Sequence, residues 1–261
     1  MLPTPSTDHV SFDRVYEPAE DSFLFLDTLS CDRETTFLRQ RFAQCSNGDH
    51  ASPCILEIGT GSGVLLAFIT AHSKKLFGRP DVLTLGADIN SFACKATEET
   101  VRTACRESTP YLNPGHGIYL DTLNANLGDA LHSGVVDVLV FNPPYVPTED
   151  LPNPSDHESY NQFDHGTTTF EQDSHLLALS YAGGMEGMEV TNKLLDRLPE
   201  LLNPQRGVAY ILLCVQNKPQ NIKQRVQNWG TSWRADTVGS SGKKGGWEKL
   251  QIIRIWRSAD P

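Results

Sequence analysis

The chain reads as a doubly wound α/β fold, a mainly parallel sheet of about seven strands with helices on both faces. Three observations predict it. Short apolar runs alternate with helical stretches from Cys54 onwards. A Gly-rich turn leaves the first run and opens a helix. The last two runs are joined by Gly- and Lys-rich residues, Gly239 to Gly246, where a crossover would need a helix, so they should form an antiparallel hairpin closing the sheet.

The elements follow in order. Residues 1–15 are polar and read as a loose N-terminal stretch, with 16–261 forming one domain. Glu20–Leu29 reads as a short helix. Its adjacent Phe23, Leu24, Phe25 and Leu26 exceed a one-sided stripe, which predicts burial. Cys54–Ile58 is the first strand, followed by a helix over Val64–Phe77, a strand at Val82–Ala87 and a helix at Phe92–Cys105. Gly117–Leu123 and Val136–Phe141 are the third and fourth strands, and Gly187–Leu202 is helical. Val208–Cys214 is the fifth strand. A helix near Gln220–Trp229 precedes the final pair, of which Leu250–Trp256 is the clearer strand.

Composition narrows the functions. A chain of 261 residues, 39% hydrophobic and 21% charged, has the material for one full-sized core. A net charge of −10 argues against broad binding to a phosphate backbone, which needs clustered Lys and Arg. None of the six cysteines (Cys31, Cys45, Cys54, Cys94, Cys105, Cys214) falls in a C-x-x-C pair, and the histidines lack ligand spacing. Free thiols in a reducing compartment and no metal site are expected. The N-terminal residues carry neither an apolar core nor an Arg-rich amphipathic pattern, and no run approaches roughly 18 apolar residues. The expected location is therefore cytoplasmic, or nuclear, with no membrane span.

Glu57-Ile58-Gly59-Thr60-Gly61-Ser62-Gly63 follows the first strand. Its G-x-G-x-G spacing places Val64 where a dinucleotide site would want a third glycine, so it suits a cofactor without a pyrophosphate. Asp88 ends the second strand, where a carboxylate can accept both ribose hydroxyls, and Asn90 or Ser91 is free to cap the next helix. Asp129, in the turn before the fourth strand, is placed to accept from an adenine amino group. The fourth strand runs into Asn142-Pro143-Pro144-Tyr145, at the carboxyl end where open α/β sheets bind ligands. The prolines stiffen the turn. A planar –NH₂ can donate to the Asn142 side-chain oxygen and to the Pro143 carbonyl, while Tyr145 stacks on it. That geometry favours the charge that develops on an attacking nitrogen.

Together these motifs resemble the HemK-type protein-glutamine methyltransferases with their Asn-Pro-Pro-Tyr signature. Tyr16-Glu17-Pro18-Ala19-Glu20-Asp21-Ser22-Phe23 resembles the N-terminal motif of the eukaryotic branch, which modifies the Gly-Gly-Gln glutamine of the class 1 release factor. Ala182-Gly183-Gly184 and Gly187-Met188-Glu189-Val190 extend the similarity over most of 15–257. The resemblance implies a seven-stranded Rossmann-like class I methyltransferase fold using S-adenosyl-L-methionine. It implies that Tyr16, Glu20, Ser22, Glu57, Gly59, Gly61, Gly63, Asp88, Asp129 and Asn142 contact the cofactor, and that Asn142, Pro143, Pro144, Tyr145 and Val146 hold the target glutamine. Catalysis would rest on Asn142, Pro143 and Tyr145.

The same resemblance implies a small zinc-binding activator subunit. Gly117–Leu123, as an edge strand opposite the hairpin, is where it could add, with Ile118, Leu120 and Leu123 as apolar surface. Two departures stand out: Ala130 replaces a common leucine, and the segment after Val146 is long. Residues 147–173 carry seven acids and no Lys or Arg, which makes them either a solvated loop or a lid suited to a basic protein surface. The tetrapeptide alone specifies only a planar nitrogen. Adenine N6 in nucleic acid, a protein lysine and a non-catalytic scaffold remain as alternatives, with the charge balance favouring protein and no stable binding of nucleic acid.

Overall fold

The computed structural model describes residues 2–43, 51–108, 115–162, 168–242 and 249–258. Helices α1 (Glu20–Ser30) and α2 (Asp32–Arg41) precede β1 (Cys54–Ile58), which leads to α3 (Val64–Ala71) and α4 (Ser73–Phe77). Next come β2 (Leu83–Asp88), α5 (Ser91–Glu107), β3 (Ile118–Asn124) and β4 (Val138–Phe141). Three helices follow, α6 (Pro154–Tyr160), α7 (Phe170–Tyr181) and α8 (Glu189–Leu201). The chain ends with β5 (Val208–Cys214), α9 (Pro219–Gln227), β6 (Trp233–Ser240) and β7 (Leu250–Arg257).

The seven strands lie in one sheet in the order β3-β2-β1-β4-β5-β7-β6. The first five are parallel, and β7 runs antiparallel to both β5 and β6. The expected mainly parallel sheet with a C-terminal antiparallel hairpin is what forms, although part of its Gly- and Lys-rich connection (243–248) lies outside the described residues. Every residue of β4 and β5 is buried, because α1, α3 and α4 cover one face of the sheet and α8 and α9 the other. Strand β3 is an outer edge, with Ile118 52% and Leu120 50% exposed.

Local chemistry explains where the elements depart from the expected ones. The Val64–Phe77 helix breaks at His72, whose ring stands edge-on to Phe68 and whose Nε2 donates to the Pro3 carbonyl at 2.9 Å. Residues 2–15 read as loose from composition, yet Val10 and Val15 are buried against Ala93 of α5. The acidic stretch 147–173 contains α6 and the start of α7. Burial pushes the Cys94 thiol up to about 12 and the Cys105 thiol up to about 11, so both stay protonated.

Helix α2 is polar in sequence, and a buried charge anchors it beside Leu38 of the core and Arg41, which donates to the Arg206 and Arg257 carbonyls. The fully buried Glu34 carboxylate accepts from Arg254 Nη1 at 2.8 and 3.0 Å and from the Tyr210 hydroxyl at 2.9 Å. The Arg254 guanidinium also lies 3.7 Å from the Phe37 ring centroid and 4.4 Å from that of Trp256. Burial, and then the Glu34 charge, drives the Tyr210 phenol well above its ordinary range, so it remains a donor. Removing one member of a buried ion pair leaves the other uncompensated. Arg254→Met is therefore expected to cost about 3–5 kcal/mol in urea unfolding. The Glu34→Gln, Arg254→Met double variant should lose less than the single; equal losses would mean that the pair carries no such coupling.

Candidate active site

Strands β1 and β2 end side by side, and the Gly59 N–H closes the pair by donating to the Ala87 carbonyl at 2.8 Å. From there the chain turns through Gly59, Gly61 and Gly63 at φ +66°, +52° and +79°. At Gly63 a side chain is excluded twice over, since a Cβ would also lie 2.5 Å from Thr97 Cα on α5. The loop is fixed by Asp88. Its Oδ2 accepts the Gly61 N–H at 2.9 Å and its Oδ1 the Asn90 N–H at 2.8 Å. Asn90 caps α5 by accepting from the Phe92 N–H, which leaves Asp88 lone pairs for a ligand.

Two carboxylates are therefore buried at adjacent strand ends. Burial raises the Asp88 carboxyl above its usual range, with the Gly61 and Asn90 amides opposing. Burial drives Glu57 much further up; the Leu66 amide opposes this and the Asp88 charge adds to it. Glu57 Oε2 has no hydrogen-bond partner.

Asn142 leaves the end of β4 with its Oδ1 buried and likewise unpartnered. Both atoms belong to residues lining one cavity of about 310 Å³, at the lower end of the roughly 300–1,000 Å³ of small-molecule sites. Tyr16, Ser22, Gly59, Gly61, Asp88 and Pro144 line the same cavity. Pro143 is buried behind it, and Pro143, Tyr145, Val146 and Gly63 do not form its wall.

The tetrapeptide is braced from behind. Val146 exchanges backbone hydrogen bonds with the 181–183 segment, its N–H donating to Tyr181 at 3.0 Å and its carbonyl accepting from Gly183 at 2.9 Å. Asn217 Nδ2 donates to the Tyr145 carbonyl at 3.0 Å and to the Glu186 carbonyl at 2.9 Å. Gly187, at φ +68°, is needed because a Cβ there would lie 2.0 Å from the Tyr145 oxygen. On the other side, Asp21 is buried in the first turn of α1, and its Oδ2 accepts from the Tyr16 hydroxyl at 2.9 Å and the Tyr145 hydroxyl at 3.4 Å. The N-terminal motif and the tetrapeptide thus meet on one carboxylate.

Not every residue expected at the site is brought there. Glu20 sits exposed at the start of α1 and does not line the cavity. Asp129 pairs with Arg197 of α8 and does not line the cavity. Ala130 is exposed. Other side chains join the site without a clear sequence signal. Asp21 reads as a first-turn acid placed for the helix dipole, and Asn217 as a polar residue after β5. His157 and His175 arrive from α6 and α7, and burial, then His157, holds the His175 imidazole below its usual range. Among the described residues, no group of three or more His, Cys, Asp or Glu side chains is arranged to hold a metal ion.

No protein-family model matches the chain. It is 33% identical over 261 residues to the eRF1 methyltransferase catalytic subunit mtq2 of Schizosaccharomyces pombe, covering 98% of this chain and 96% of that protein. It is 32% identical to methyltransferase HEMK2 of Mus musculus, covering 98% of each chain. It is also 25% identical over 244 residues to a Methanocaldococcus jannaschii protein for which protein N5-glutamine methyltransferase activity has been proposed, covering 93% of this chain and 92% of that one. With a seven-stranded sheet of the class I methyltransferase order and relatives above 30% identity along almost their whole length, the chain belongs to the family of the eRF1 methyltransferase catalytic subunits and HEMK2 methyltransferases.

Proposed function

We propose that this chain transfers a methyl group from S-adenosyl-L-methionine to the side-chain amide nitrogen of the Gly-Gly-Gln glutamine of the eukaryotic release factor. The observation that carries the reading is Asn142 Oδ1, a buried acceptor with no protein partner on the wall of the cavity at the end of β4. Leaving such an atom unsatisfied costs about 1–3 kcal/mol, which a donor arriving with a ligand would recover. The names of the relatives, an eRF1 methyltransferase catalytic subunit and the proposed N5-glutamine enzyme, support a glutamine of a release factor as the target. The net charge of −10 supports a protein substrate over nucleic acid.

The cavity residues fit the cofactor. Asp88 would take the ribose hydroxyls, Glu57 and the Gly59–Gly63 loop would line its middle, and Tyr16 and Ser22 would close the far side. When bound, S-adenosyl-L-methionine supplies an electrophilic methyl group on a sulfonium. The protein orients the nucleophile. Asn142 Oδ1 accepts one hydrogen of the target –NH₂, holds the nitrogen in place and stabilises the positive charge that develops there. Tyr145, held by Asp21 and through its carbonyl by Asn217, is a fixed platform for the planar amide. No general base is required before transfer, because the proton can leave afterwards. The work is expected in the cytoplasm, where release factor acts.

A small zinc-binding activator is proposed to add along β3. That edge exposes Ile118 and Leu120, and the S. pombe relative is itself called a catalytic subunit. Leu120→Lys should abolish comigration with the activator in size-exclusion chromatography while changing the chain's own stability by less than about 0.5 kcal/mol. Unaltered comigration would place the partner elsewhere.

The function is tested by incubating the chain and its activator with labelled cofactor and either release factor, histone or adenine-containing nucleic acid. Mass spectrometry should locate the label on the Gly-Gly-Gln glutamine, and label confined to nucleic acid would refute the reading. Asn142→Ala is expected to lower kcat by on the order of 10²–10³-fold, by analogy with losing one preorganised charge-stabilising group, with circular dichroism unchanged.

A further inference from the structure

Outside the cavity, the tetrapeptide continues into a short, rigid ledge. Thr148 donates its N–H to the Gly184 carbonyl at 3.1 Å and accepts the Gly184 N–H on Oγ1 at 3.0 Å, which extends the Val146 pairing outwards. A Cβ at Gly183 would strike the Pro144 carbonyl, and one at Gly187 the Tyr145 carbonyl, so the turn between them is pressed against the tetrapeptide. That turn is also fixed at its centre. Met185 donates its N–H to Glu189 Oε1 at 2.9 Å. Glu186, left-handed at φ +56°, pairs its carboxylate with Lys218, itself left-handed at φ +52°. Such strain in side-chain-bearing residues persists only where the surroundings over-determine the backbone.

The side chains that the ledge displays are apolar. Met185 is 73% exposed, Val215 51% and Tyr181 43%, and none of the three lines the cavity. Asn217 holds them on one rim, because two residues past Val215 its Nδ2 bonds both the Tyr145 and the Glu186 carbonyls. Single exposed apolar side chains are ordinary, but three around one rigid rim mark a contact surface. Thr148 Oγ1 donates to the Asp150 carbonyl at 2.9 Å, which sets the exposed Glu149 and Asp150 at the border of the ledge. Lys218 is engaged by Glu186, so these acids give the border its sign.

We propose that Tyr181, Met185 and Val215 form a docking site for the folded surface of the release factor beside its Gly-Gly-Gln segment, an apolar patch flanked by basic residues. The inference rests on the substrate reading above and adds a second contact to it, outside the site that takes the glutamine. The ledge runs on directly from the tetrapeptide, so a protein whose glutamine sits at Asn142 lies over it. The activator is proposed at β3, three places from β4 in the sheet, which leaves the rim beside β4 and β5 to the substrate. A surface held rigid in advance binds without the cost of ordering it. Contact there is equal in ground and transition states, so it acts on KM and leaves kcat alone.

Calorimetry of the full chain with its activator isolates the ledge when the probe is a release factor whose target glutamine is replaced by alanine. The wild type should bind this factor, and the Met185→Ser, Val215→Ser double variant should bind it about tenfold more weakly, the size expected for losing apolar anchors at an interface. The Glu149→Lys, Asp150→Lys double variant should weaken it likewise, by reversing the sign of the border. With intact factor, the serine variant should show KM raised about tenfold at unchanged kcat, with unchanged affinity for S-adenosylhomocysteine. Wild-type affinity in either double variant, no binding of the alanine factor by the wild type, or a fall in kcat at unchanged KM overturns the proposal. So does loss of comigration with the activator, or of a dimer, in the serine variant, since either assigns the ledge to another occupant. If the wild type leaves intact factor unmethylated, the functional reading itself fails, an outcome distinct from methylation that ignores the ledge.

Discussion

Two backbone N–H groups on one buried carboxylate organise the site: Asp88 holds Gly61 through Oδ2 and Asn90 through Oδ1. The first amide belongs to the loop leaving β1 and the second to the turn leaving β2, so one side chain fixes both rims of the cavity. The glycine conformations of the loop are compatible with this grip, and Thr97 of α5 leaves room for it only at a glycine. Removing the carboxylate would free the loop before it removed any ligand contact. Asp88 is therefore structural and ligand-facing at once. Its two roles use different lone pairs of the same oxygens.

A second constraint acts from the opposite wall. Asp21 gathers the hydroxyls of Tyr16 and Tyr145, and Asn217 holds the Tyr145 carbonyl together with the Glu186 carbonyl. The Asn142–Tyr145 segment is thus restrained by the N-terminal motif, by the turn after β5 and by the 181–183 segment, three stretches distant in sequence. Rigid placement of Asn142 Oδ1 follows from that convergence. A flexible asparagine would satisfy its oxygen on nearby backbone, and its remaining unpartnered and buried requires the brace.

Legibility in the sequence followed the range of the interactions involved. The Gly59–Gly63 loop, Asp88 and the Asn142–Tyr145 tetrapeptide were readable because each is a local signal at the end of an apolar strand. The sheet was readable for the same reason, its central strands being uninterrupted apolar runs. Helix α2 was not, since it is polar apart from a few positions and its anchor, Arg254, lies 220 residues away. The pairing of Asp129 with Arg197, 68 residues distant on α8, left no local mark either. Helix α7 did carry a local mark, with Thr169 capping the Gln172 N–H in the T-x-x-Q pattern, but the run of acids around it reads as solvated loop. His157 has no signal of its own; it reaches the cavity wall because α6 crosses the Ile89 carbonyl, which its Nε2 meets.

The buried charges separate scaffold from site. Glu34 is enclosed as completely as Glu57, yet Glu34 meets a guanidinium and a phenol while Glu57 Oε2 meets nothing. Glu57 is driven well above the carboxylate range by burial, with the Leu66 amide in opposition and the Asp88 charge adding to the rise. Two carboxyl groups buried at adjacent strand ends cannot both ionise without cost, so burial and the Asp88 charge favour a protonated Glu57. A ligand carrying positive charge reverses that preference, since it stabilises the ionised carboxylates and recovers what their burial costs. The proposed cofactor is such a ligand, cationic at sulfur before transfer and neutral there afterwards. The same pair of acids would thus hold the cationic cofactor more tightly than its neutral product.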